Sequence, residues 1–233
     1  MKILETSRIT AAVAAVLFFV AGGLWAAEPA ADLPGPDWRA AVSDFAAGHF
    51  KHPAWGYSHA ARMYRLGREL ALADKAAYDD EVLYAAAYLH DMAAFPPWAL
   101  EKADHAEEGA RIVGTVLEKT GFPMAKLGAV QDAIRTHMYY GKPSSRPEAL
   151  YLHDADALDW LGAIGAARVL SLVDPAGGAP DGPAAVKMLE NSLSAVPASV
   201  FSKAGRALVP ARKTQLEKFL KDLRSESDGL KTL

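Results

Sequence analysis

The residues with most to offer chemically are His59, the dipeptide His90-Asp91, and the run His153-Asp154-Ala155-Asp156-Ala157-Leu158-Asp159. Each lies on a stretch with helical spacing. Imidazoles and carboxylates brought together from separate helices suit a divalent ion of intermediate hardness. Such an ion polarises a phosphoryl oxygen and acidifies water. Neighbouring side chains on a helix point about 100° apart, so His90 and Asp91 reach one ion only where their helix ends. The run Phe95-Pro96-Pro97-Trp98 follows closely and cannot continue a helix. Taken alone, His90 also fits a histidine facing a helix C-terminal dipole; the company of the other groups favours a metal.

The elements that must hold these groups read as helices joined by short breaks. A short helix opens at Pro36-Asp37 and runs toward Phe50, and a second covers Ser58 to Ala73. Asp79 or Asp80 caps a third, almost wholly apolar helix through Val82 to Leu89, which delivers His90-Asp91 into the interior. Asp104 caps a helix from His105 to Thr120 that Gly121 ends, and another spans Met124 to Tyr140. One long helix is expected from Glu148 to Val173, then a Gly/Pro-rich loop over 175–183. Helices at 184–195 and 200–225 complete the chain, with the last four or so residues frayed.

The chain has 233 residues, enough for one domain with a substantial core. With 51% hydrophobic and 23% charged residues it falls among ordinary globular chains. A formal charge of -3 gives no support to a basic nucleic-acid-binding surface. The absence of cysteine excludes disulfides, thiolate metal sites and a cysteine nucleophile. Residues 1–27 combine Lys2 and Arg8 with an apolar stretch from Ile9 to Ala27, which reads as a signal peptide or a retained N-terminal anchor. Residues 28–35 form a proline-containing spacer, 36–226 the working domain, and 227–233 a C-terminal tail. Either reading of the N-terminus implies export, periplasmic or secreted, with membrane attachment only if the segment is retained. The sequence does not set an oligomeric state.

Several residues have competing roles. Arg62 lies one turn after His59 on the same face; its guanidinium suits phosphate oxygens, or it forms an ion pair with a carboxylate such as Asp91. Asp154, Asp156 and Asp159 point in different directions around their helix, so not all can be ligands, and composition does not choose among them. Asp154 can orient a histidine from behind. His153 forms a second His-Asp dipeptide. His105 and His137 line the site as acid or phosphate contacts, hold a second metal bridged by Asp91, or serve the fold. His49 and His52 are given no role.

The order H…HD…D, together with the run Asp154-Ala155-Asp156-Ala157-Leu158-Asp159-Trp160-Leu161-Gly162-Ala163-Ile164-Gly165-Ala166-Ala167-Arg168, resembles the HD-domain metal-dependent phosphohydrolases. It is most similar to the compact nucleotide pyrophosphohydrolase type, over about Phe50 to Glu226. The resemblance implies an all-α, single-domain helical bundle with a metal between helices. It implies that His59, His90, Asp91 and Asp156 hold a divalent ion: manganese, or zinc, iron, magnesium, cobalt or nickel. It also implies hydrolysis of a phosphoric ester or anhydride on a small phosphorylated substrate.

The resulting expectation is an exported metal-dependent phosphohydrolase acting on a nucleotide-like molecule. Asp91 is essential, Arg62 steadies equatorial oxygens, His105 or His137 protonates the leaving oxygen, and Asp154 supports from behind. The Phe95–Trp98 loop shapes the substrate pocket. Two rival expectations are a non-catalytic metal or nucleotide sensor, and a di-iron oxygenase of the same fold with His105 and His137 as ligands.

Overall fold

The computed structural model describes residues 37–175 and 178–233, so the expectations for residues 1–27 and 28–35 lie outside the described residues. Asp37 caps α1 (Trp38–His49) by accepting from the Arg39 amide at 3.0 Å. Helix α2 (Tyr57–Ala73) then packs on α3 (Asp80–Leu89), whose cap is Asp79, accepting from the amides of Glu81 and Val82. Every residue of α3 from Val82 to Leu89 is buried. Burying a side chain such as Leu83 or Leu89 contributes about 1.5–3 kcal/mol, which offsets carrying the polar pair at its end inward.

Asp104 caps α4 (His105–Ile112), which is followed by α5 (Gly114–Leu117) rather than continuing to Thr120. At that break Thr115 turns its hydroxyl onto the Ile112 carbonyl, 2.7 Å away. A 3-10 turn (Met124–Lys126) leads into α6 (Leu127–Arg135), which stops five residues short of the expected Tyr140. Thr136 donates from its hydroxyl to the Asp132 carbonyl as the chain leaves the helix. Helix α6 packs against both α4 and α3.

The expected long helix over 148–173 is instead two, α7 (Pro147–Asp159) and α8 (Gly162–Leu170). Leu161 is extended and Gly162 adopts φ +69°, a conformation that side-chain-bearing residues rarely take. Gly165 lets the new helix start close against Trp160, because a Cβ there would lie 2.4 Å from the Trp160 carbonyl oxygen. Helix α9 (Gly182–Ala195), a 3-10 turn (Val196–Ser199) and α10 (Lys203–Glu226) close the fold, with α10 lying across α8 and α7. In the tail, Leu230 packs on the core and the Ser227 hydroxyl accepts from its amide, while 231–233 are exposed.

The architecture is all-α, with no strand among the described residues. No helix among them is long and apolar enough to cross a membrane.

Candidate metal centre

Five helices meet around one centre. His59 comes from the first turn of α2, and Asp156 and Asp159 from α7. At the end of α3, His90 is the cap residue and Asp91 (φ −93°, ψ 8°) has already left the helix. That exit turns two adjacent side chains toward the same place. His137 follows α6, and His105 opens α4 at the rim.

The hydrogen bonds fix which ring nitrogens carry protons. His59 Nδ1 lies 2.9 Å from Asp159 Oδ2, His90 Nδ1 2.9 Å from the Ala87 carbonyl, and His137 Nδ1 2.6 Å from the Ile134 carbonyl. Carbonyls and carboxylates only accept, so each Nδ1 must donate, and each neutral ring presents a bare Nε2 lone pair. His59 Nε2 and His90 Nε2 face each other at 3.1 Å. Two lone pairs so close repel unless a cation lies between them. Ligands at about 2.1 Å from one ion stand about 3.0–3.4 Å apart, depending on coordination number. His137 Nε2 is buried without a hydrogen-bond partner, as a ligand atom would be.

Two carboxylates complete the donor set. Asp156 Oδ1 is 3.4 Å from His59 Nε2, and Asp91 Oδ2 is 3.1 Å from His90 Nε2 and 3.6 Å from His59 Nε2. The other Asp91 oxygen faces away, 3.4 Å from His105 Nε2 and 3.7 Å from His137 Nε2. Two triads lie close enough to grip an ion, His59/His90/Asp156 and His90/Asp91/His137. His90 has one lone pair to give, so it serves one ion at a time.

Electrostatics favour a cation here. Burial pushes His90 below the usual imidazole range, keeping it neutral. Burial alone would raise the carboxylates, yet His90, His105 and His137 hold Asp91 well below the ordinary range. His59 and Arg168 do the same for Asp156, and His59 with Arg62 for Asp159. Of the three carboxylates around the centre, Asp159 is the one that Arg62 and Arg168 both approach closely, and Asp91 faces only imidazoles. The donor set therefore fits a divalent ion.

Two expected roles change. Arg62 does not reach toward a phosphate: Nε and Nη2 fork onto Asp159 at 2.9–3.3 Å, so it steadies the carboxylate that orients His59. Asp154 does not join the centre. It accepts from the amides of Phe201 (3.0 Å) and Ser202 (2.6 Å), fixing the start of α10, and its histidine neighbour is His153, at 3.1 Å. The Phe95–Trp98 loop also faces elsewhere, Phe95 stacking on Phe50 at 4.8 Å and Trp98 packing on Phe45.

A cavity of about 260 Å³ opens beside the centre, bounded by Asp91, Asp156, His105, Trp55, Trp160 and Arg168. Three of these were not singled out in the sequence. Trp55 is set by His52, whose ring stacks on it at 3.6 Å. Arg168 closes the family-like run, which was its available signal; the two tryptophans had none beyond adjacency to ligand helices.

Comparison with known families matches the HD domain over residues 56–161. No protein of curated function is similar. Among solved structures, a predicted HD superfamily hydrolase from an uncultured Thermotogales bacterium is 27% identical, with 81% of this chain and 88% of that chain covered and a TM-score of 0.52. A Lactobacillus plantarum protein is 23% identical, covering 81% and 96%, with a TM-score of 0.60. YpgQ of Bacillus subtilis, in complex with ADP, is 16% identical, covering 81% and 97%, with a TM-score of 0.59. The last two speak for the fold alone.

Proposed function

Since this chain belongs to the HD superfamily of metal-dependent phosphohydrolases, we propose that it hydrolyses a phosphoric ester or anhydride on a small, nucleotide-like molecule. The observation that carries this reading is the meeting of bare imidazole lone pairs with ionised carboxylates at the wall of a cavity. His59, His90, Asp91 and Asp156 would hold a divalent ion, manganese or a similar one. When bound, that ion supplies Lewis acidity toward a phosphoryl oxygen and toward water.

The remaining work falls to the chain itself. Asp159 holds His59 in the tautomer that offers Nε2, and Arg62 keeps Asp159 ionised. Asp91, held ionised, accepts the proton of an attacking water in the cavity. His137 commits its Nδ1 proton to the Ile134 carbonyl, and its side chain is buried away from the cavity wall. His105 is 30% exposed at the cavity rim and tied to no carbonyl, so it delivers the proton to the leaving oxygen. A nucleotide-like substrate is the expectation carried by the run Asp154–Arg168, and the basic and apolar start of the chain supports action outside the cytoplasm.

A second reading has one observation in its favour. The two oxygens of Asp91 divide the site, Oδ2 toward His59 and His90, Oδ1 toward His105 and His137. A carboxylate so placed bridges two ions, the arrangement a di-iron oxygenase requires. Elemental mass spectrometry on the purified protein separates the two. About one manganese, zinc or similar ion per chain, with turnover on a panel of phosphoesters and nucleotides, supports the hydrolase. Close to two irons moves His105 and His137 onto the second ion. No retained ion even after reconstitution rejects both and leaves a sensor.

A further inference from the structure

Arg168 has more hydrogen-bonding capacity than its protein surroundings use. Its side chain is 3% exposed and reaches from α8 to the cavity wall beside Asp91 and Asp156. Nε donates to the Ala54 carbonyl at 2.7 Å. Nη1 lies 3.1 Å from Asp159 Oδ2 and 3.9 Å from Asp156 Oδ1, yet it makes a hydrogen bond to neither. Competition explains this: Asp159 Oδ2 already receives His59 Nδ1 and both prongs of Arg62.

A guanidinium carries five donor hydrogens and no acceptor, and buried donors in native proteins almost always find a partner. A purely structural arginine would be satisfied where it lies. Arg168 is instead held without being satisfied, its guanidinium carbon 4.2 Å from the centre of the Trp160 ring, where cation–π attraction keeps it. Arg168 is also the one permanently charged cation among the described residues lining the cavity; the apolar wall is Trp55, Ala94, Met138 and Trp160.

Resting on the phosphohydrolase reading above, we propose that Arg168, and not Arg62, binds the phosphoryl oxyanion of the substrate. A guanidinium can match two phosphate oxygens in a fork, and Nη1 is the Arg168 donor left without an acceptor. The anion would then sit between this donor and the ligands Asp91 and Asp156, supplying the acceptor Nη1 lacks. Trp160 is a positioning residue that acts through Arg168.

The test uses the full chain and inorganic phosphate, read by titration calorimetry and by the rise in Tm that phosphate causes. In R168Q, compared with the wild type at equal metal loading, the phosphate affinity should fall about tenfold or more and the Tm rise should vanish. R168K keeps charge without the fork and should fall between the two. Trp160→Leu should also weaken phosphate binding without loss of metal. Wild-type affinity in R168Q overturns the proposal, as does a wild-type protein that binds no phosphate. Should R168Q not fold, wild-type affinity in R168K does the same. Phosphate binding is read without turnover, so a protein that binds phosphate through Arg168 but cleaves no phosphoester would sink the hydrolase reading and leave this one standing.

Discussion

The chain contains the same dipeptide twice, and the two copies have opposite fates. His90-Asp91 ends α3, where the backbone leaves the helix between them and both side chains face one centre. His153-Asp154 lies inside α7, where both side chains stay in the core and neither reaches the centre. Asp154 there binds the amides of Phe201 and Ser202, and His153 Nε2 stays in the core without a partner. The first pair lines the candidate metal centre and the second builds the fold. Position relative to the helix end, not residue type, makes the difference.

The largest effect that sharpens this contrast is expected from Asp91→Ala. Turnover should fall about a thousandfold or more, the several kcal/mol at stake in metal-assisted chemistry, while the far-ultraviolet dichroism stays helical. Full activity in that variant would erase the distinction. Asp154→Ala should do the reverse. It leaves two amides at the start of α10 without an acceptor, so unfolding in urea should show a loss of about 2–4 kcal/mol, with metal content unchanged. A variant that lost metal but kept stability would place Asp154 in the centre after all.

Asp159→Asn should lie between these extremes, because it removes the charge that fixes the His59 tautomer. Chelator competition should show metal affinity down about 10–100-fold. Acidification tests the same donors. Burial favours neutral His137, but Asp91 outweighs it and raises its basicity above the usual imidazole value. A proton on His137 competes with the ion for Asp91, so metal affinity should fall as pH drops through the neutral range, and affinity independent of pH between 7.5 and 6 would contradict a part for Asp91 in holding the ion. The smallest effect is expected at His153. With Nε2 bonded to nothing, His153→Phe should cost only about 1 kcal/mol and leave metal and turnover untouched.

Most of the helices were legible because their ends carry chemistry. Asp79 and Asp104 are caps by residue type, and Pro143 and Gly121 bracket breaks. Asp37 does the same for α1. What was not legible is the break between α7 and α8. No proline marks it; it depends on Gly162 at positive φ and on Gly165 admitting the Trp160 backbone. In one continuous helix Arg168 would stand about 18 Å along the axis from Asp156. The break folds it back until Nη1 is 3.9 Å from that carboxylate. Arg62 took the other of its two expected roles, an ion pair, but with Asp159 rather than Asp91. Sequence spacing reports neighbours along one helix, whereas this site is assembled where helices stop.

His90 and His137 take their orientation from carbonyls three residues back in their own helices, those of Ala87 and Ile134. A carbonyl survives any change of side chain at its position. Two of the imidazoles therefore need no co-inherited supporting residue, and drift at positions 87 and 134 leaves them aimed. His59 alone depends on a side chain, and through Asp159 on Arg62 and Arg168 as well. Across relatives, positions 59, 62, 159 and 168 should therefore change together, while the orientation of 90 and 137 requires no matching side chain elsewhere.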